Sequence, residues 1–190
     1  MNGYVNLFWG VLIVFALSFY SCKNERKKVV KYDDVSIQLE KYQNEQHGFS
    51  IEYPGDWQNV GGNQDVVFAV TMIKDSTDKS FQNTIHITKL VDLKNSSVVL
   101  NDIVTASIED MSNSFEGFQV TKNESLNINN NPATKIQCDF KANNEAITTL
   151  LYFVQTSNNI YLIGLSGLSD EFTKYQEVYE YIAKTFNSLD

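Results

Sequence analysis

Apolar and polar residues alternate with period two along most of this chain, and the period lengthens to that of a helix twice. Phe49, Ile51 and Tyr53 alternate with Ser50 and Glu52, which predicts a strand with one buried face. Pro54-Gly55 ends it, because proline lacks a ladder donor and glycine permits the turn. Trp57 is then placed to pack back beneath that turn. After the polar Gly61-Gly62-Asn63, an apolar run from Asp65 to Lys74 predicts a strand covered on both faces. Asp75 to Ser80 reads as a hairpin loop. Phe81 to Leu93 is the next strand, with Ile85 and Ile87 on one face and Thr84, His86 and Thr88 on the other.

Leu100, Ile103, Val104, Ile108 and Met111 recur at helical spacing, with Asp102, Glu109 and Asp110 outside. They predict a first helix over Leu100 to Phe115, with Gly117 as its left-handed end. Four strands follow: Phe118 to Ile128, Ala133 to Lys141, Ala146 to Gln155 and Ile160 to Leu168. Asn129-Asn130-Asn131-Pro132, Asn143-Asn144 and Ser157-Asn158-Asn159 supply the turns between them. Gly164 and Gly167 in the last strand predict a bulge or close approach by a covering helix. Ser169 is placed to cap the final helix, with Asp170 and Glu171 in its first turn. Phe172, Tyr175, Val178, Tyr179, Ile182 and Phe186 form its buried stripe. Hairpins with two separated helices predict an α+β fold: one domain over 41–190, an antiparallel sheet covered by helices.

The N-terminus follows another pattern. Leu7 to Tyr20 is almost wholly apolar, too short for a comfortable membrane span and the right length for a signal-peptide core. Ser21-Cys22 closes the run, and Lys23-Asn24-Glu25-Arg26-Lys27-Lys28 is abruptly polar. A small residue and then cysteine resembles a bacterial lipobox. That resemblance implies cleavage before Cys22, acylation of Cys22 and anchoring of the mature chain by its acyl groups, which bury about 0.8 kcal/mol per CH₂. Met1 to Asn6 carries no Lys or Arg, and Phe19-Tyr20 departs from the usual box; relaxed boxes and an Asn-rich composition are compatible with the Bacteroidetes. The alternative is an uncleaved anchor helix with an incidental cysteine. Residues 1–21 are thus expected to be a leader, and 22–40 a flexible tether whose basic run is solvated or lies against anionic headgroups. Both readings place the domain on the outer side of the cytoplasmic membrane; Lys23-Asn24-Glu25-Arg26 is a poor match to the acidic export signal of some outer-surface lipoproteins, so the periplasm is the expected compartment.

Charge narrows the functions. A net charge of −8 and a pI near 4.7 argue against nucleic acid, which needs clustered Lys and Arg. Cys138 alternates in phase with Ile136 and Phe140 and reads as a small core residue, not a nucleophile. His47 and His86 are weak metal candidates: neighbouring strands could bring them together, but no local ligand spacing supports it. Asp75-Ser76-Thr77 matches an O-glycosylation acceptor pattern. Neither a nucleophile elbow nor a phosphate loop is present.

The run Gly48-Phe49-Ser50-Ile51-Glu52-Tyr53-Pro54-Gly55-Asp56-Trp57 resembles the opening signature of the PsbP-like family. The strand meander, the Gly167-Leu168-Ser169 link and the aromatic final helix extend the resemblance over Tyr42 to Leu189. It implies an α/β/α sandwich, a fold found also in a nuclear-import factor and in bacterial envelope lipoproteins such as DcrB. Photosynthetic relatives act beside a manganese–calcium cluster and dock on larger membrane assemblies. The expectation is therefore a lipid-anchored, non-catalytic accessory module with an envelope protein partner and no cofactor. The alternatives are a hydrolase whose site assembles only in the fold, or a binder of a metal or an apolar ligand.

Overall fold

Two asparagine pairs set the central meander. Asn129 and Asn130 have φ of 47° and 67°, and Asn143 and Asn144 have 52° and 65°. Two successive left-handed residues make the hairpin turn whose twist matches the flanking strands, and asparagine tolerates that conformation better than other side chains. These turns join β7 (Glu116–Ile128), β8 (Asn131–Ala142) and β9 (Glu145–Gln155), and β10 (Asn159–Leu168) completes the run. In this computed structural model the described residues are 28–32, 35–62, 65–72, 81–95 and 97–189.

Upstream lie β1 (Lys28–Tyr32), β2 (Val35–Asn44), β3 (Phe49–Pro54), β4 (Gln58–Asn59), β5 (Val66–Thr71) and β6 (Thr84–Asp92). Helix α1 spans Leu100–Ser114, α2 spans Ser169–Lys184, and β11 is Asn187–Ser188. Among the described residues the strands form two antiparallel sheets. The larger has seven strands in the order β4-β5-β6-β10-β9-β8-β7, and the smaller has four in the order β1-β2-β3-β11.

The large sheet is covered on both faces. Val104 of α1 packs with Ile136, Cys138, Leu151 and Phe153 on one face. On the other, Phe172, Val178, Tyr179 and Ile182 of α2 join Phe49 and Ile51 of the small sheet over Ile85, Ile87, Leu150, Tyr152 and Ile163. Trp57 does pack back as expected, edge-on to Tyr179 at 6.4 Å. Ile147 to Val154 of β9 are buried without a break, as a central strand covered twice requires.

Several sequence expectations are corrected. The segment expected as a tether through residue 40 contains β1 and most of β2, with Val30, Ile37 and Leu39 buried; Val30 stands opposite Ile37, and Leu39 shares the phase of Ile37. Cys22 to Lys27 lie outside the described residues. β5 alternates in burial, with Phe68 and Val70 inside and Val67 half-buried, so it is not covered on both faces. Gly117 is left-handed (φ 66°) but sits in β7 beside a register shift, not at the helix end, where Phe115 is extended. Ser169 is the first residue of α2 and makes no side-chain cap. Asp75-Ser76-Thr77 and its loop lie outside the described residues.

Gly164 and Gly167 mark close approach, nearest by the side chains of His86 and Asn83 and not by the covering helix. A Cβ on Gly164 would stand 2.1 Å from Cε1 of His86, and one on Gly167 2.5 Å from Oδ1 of Asn83. The bulge in β10 lies elsewhere, between Ile160 and Tyr161. Gly164→Ala is therefore expected to lower stability by about 1–3 kcal/mol, the usual range for overpacking, and His86→Ala in the same chain should restore most of it. Urea denaturation of the two variants checks this.

Candidate functional site

Along β8 the side chains alternate between the two faces of the sheet. Ile136 and Cys138 face α1, whereas Lys135, Gln137 and Asp139 face α2. A polar row thus runs beneath an otherwise apolar helix interface. Lys135 is only 7% exposed. Its Nζ donates to Oε1 of Glu180 on α2 at 2.7 Å and stands 3.9 Å from Glu124 of β7. Gln176 Nε2 also donates to Glu180, at 3.3 Å. Burial pushes the Glu180 carboxyl upward, but the bonds from Lys135 and Gln176 outweigh it and hold its pKa below the usual carboxylate range.

A second contact closes the row near the start of α2. Thr148 Oγ1 donates to Asp139 at 2.7 Å and lies 2.9 Å from Ser169 Oγ. The Oε1 of Gln137 and the hydroxyl of Tyr152, the residue opposite Lys135, are buried without a hydrogen-bond partner. Burial, with Glu180 and Glu124 nearby, raises the Tyr152 pKa far above its ordinary value. The seam therefore offers a neutralised ammonium and a protonated phenol. It holds α2 on the sheet at two points, and the protonated phenol is not primed as a nucleophile.

The residues singled out from sequence are kept apart. His86 lies on the α1 face of the large sheet, half-buried against Gly164, and burial lowers its pKa. His47 occupies the β2–β3 turn, where its carbonyl accepts a hydrogen bond from Tyr161, a residue of the opposite face. The sheet separates the two, and among the described residues no group of three His, Cys, Asp or Glu is gathered for a metal. Cys138 is buried, opposite Val120 and Thr149, and desolvation pushes its thiol up to about 12. Cys22 lies outside the described residues. The Lys135–Glu180 pair was not singled out from sequence. The available signal was a lysine in the Ala133 phase of a strand that buries both faces.

The sequence matches the family described as PsbP-like protein over residues 11–187. The chain belongs to the PsbP-like family. No curated protein matches it significantly. Among solved structures, cyanobacterial PsbP from Synechocystis sp. superposes with a TM-score of 0.58 at 12% identity, covering 84% of this chain and 97% of that one. LpqN of Mycobacterium tuberculosis, involved in cell envelope biogenesis, gives 0.56 at 15%, with coverage of 80% and 90%. The Ran-binding protein Mog1p of Saccharomyces cerevisiae gives 0.52 at 8%, with 81% and 97%. At these identities the likeness is one of fold.

Glu180→Ala removes the hydrogen-bonded carboxylate and leaves the buried Lys135 ammonium only Glu124 at 3.9 Å, and should cost about 2–5 kcal/mol, while Lys135→Met with Glu180→Leu should come close to wild type; chemical denaturation measures both. The depressed Glu180 pKa stabilises the fold fully above the unfolded carboxyl pKa of about 4.3. That contribution is lost as pH falls through the lower folded value. Glu180→Gln should flatten this acid limb in melting curves taken between about pH 3 and 6. The Cys138 thiol should react with a thiol reagent only as fast as the fold opens, with denaturant accelerating it steeply.

Proposed function

We propose that this chain is a membrane-tethered, non-catalytic binding module that serves a larger envelope complex. One observation carries the reading: the side chains able to do chemistry are held apart or held inert. His47 and His86 lie across the sheet from each other, and Cys138 is buried with its thiol pushed up to about 12. Membership of the PsbP-like family supports it, as do fold neighbours named for cell envelope biogenesis and for binding a protein. Acylation of Cys22 provides the tether in this reading, and the domain lies in the periplasm.

Crosslinking in the native envelope should recover one specific envelope protein with the wild-type chain. Recovery of no more than an unrelated lipoprotein recovers, or turnover of a substrate by the purified chain, overturns the proposal. Mass spectrometry of the mature N-terminus should find residues 1–21 absent and Cys22 acylated, and Cys22→Ala should move the protein from the membrane to the soluble fraction.

A further inference from the structure

The order found at the N-terminus of the body changes how far the domain can travel. β1 is paired with β2 from Lys28↔Leu39 to Tyr32↔Val35, and β2 with β3 from Leu39↔Pro54 to Asn44↔Phe49. Val30, Ile37 and Leu39 are buried in the main core. At the first residue of β1, the Lys28 ammonium bonds to the Tyr181 hydroxyl, lies 4.8 Å from the centre of that ring and stands 3.6 Å from Glu52. Tyr181 in turn donates to Glu52 at 3.2 Å. The hairpin is thus fastened to α2 and to β3 at the point where the chain enters the body.

Only six residue steps separate Cys22 from Lys28. However it is arranged, such a segment cannot exceed about 20 Å, whereas a tether running to residue 40 would reach about 65 Å. The seven-stranded sheet alone is about 30 Å wide at the usual strand spacing. The leash is shorter than the body it holds.

We infer that the β1–β2 hairpin seats the domain at the level of the lipid headgroups, so that the partner it serves is a membrane-embedded protein. This rests on the membrane attachment proposed above, but not on its chemistry. An acylated Cys22 and an uncleaved anchor over residues 7–20 both end before Lys28.

The test uses the full chain purified from membranes, labelled with a donor dye through Thr173→Cys on the exposed side of α2. It is placed in vesicles of phosphatidylethanolamine and phosphatidylglycerol carrying an acceptor lipid. Wild type is compared with a Gly/Ser insertion of about 20 residues between Glu25 and Arg26, which adds about 25 Å of root-mean-square reach. It is also compared with Val30→Asp, which releases the hairpin. Energy transfer should be high in wild type and fall at least twofold in both variants, with the body's melting transition retained in the insertion variant. Equal transfer in wild type and the insertion variant overturns the inference. In envelopes, the crosslinked partner should need detergent for extraction and should be lost with the insertion. Capture of a soluble protein by both chains likewise overturns it. The N-terminal mass of the same sample judges acylation separately, and a chain that does not float with vesicles removes the attachment itself and overturns both.

Discussion

A wide antiparallel sheet with apolar side chains on both faces cannot leave either face in water, and the rest of this structure answers that constraint. At about 25 cal/mol per Å² of apolar surface removed from water, covering the central strands dominates the favourable energy of the fold. One helix suffices on the α1 side, where the apolar row is short. The other side needs α2 and a second sheet together, because Phe49, Tyr161 and Phe186 build an aromatic cluster too thick for a helix alone. Once both layers are in place, β9 has no polar face left.

The α2 layer is the more demanding. Beneath it lie a lysine–glutamate pair, a threonine–aspartate–serine contact and the unpartnered hydroxyls of Tyr152 and Tyr179. A purely apolar interface would tolerate sliding of the helix by a turn; a buried ammonium hydrogen-bonded to a carboxylate of that helix does not, since displacement breaks the bond and leaves only the more distant Glu124, at a cost of several kcal/mol. The seam therefore fixes where α2 sits, and through Tyr181 and Glu52 it also fixes where the first hairpin sits.

The meander and both helices were legible from sequence because their signals are local: asparagine pairs at left-handed turns, alternation between them, and apolar positions at helical spacing. Of the small sheet, β3 was legible and the β1–β2 hairpin was not. Val30, Ile37 and Leu39 gain their burial from α2, nearly 150 residues later in the chain, and a charged segment carrying them looks solvated when read alone. Gly117 misled because a left-handed glycine serves a bulge as well as a helix end. Lys135 and Glu180 were hidden for a related reason. Nothing within a few residues of either announces the other, and only the sheet brings β8 under α2. The histidines show the converse: His47 sits between two strands of the small sheet and His86 on β6 of the large one, so the strands expected as neighbours belong to different sheets.

The outermost strand of the large sheet has a consequence for crowding. β7 runs thirteen residues along an open edge, yet its register slips twice, between Glu116 and Gln119 and between Val120 and Lys122, and it bears charges of both signs. A straight edge of that length would accept a strand from any neighbour. Molecules confined to two dimensions meet far more often than molecules in free solution, so a chain held at a surface gains most from an edge that is kinked and charged. Wherever two copies of this chain meet, β7 offers a bent and charged edge that resists zipping strand to strand.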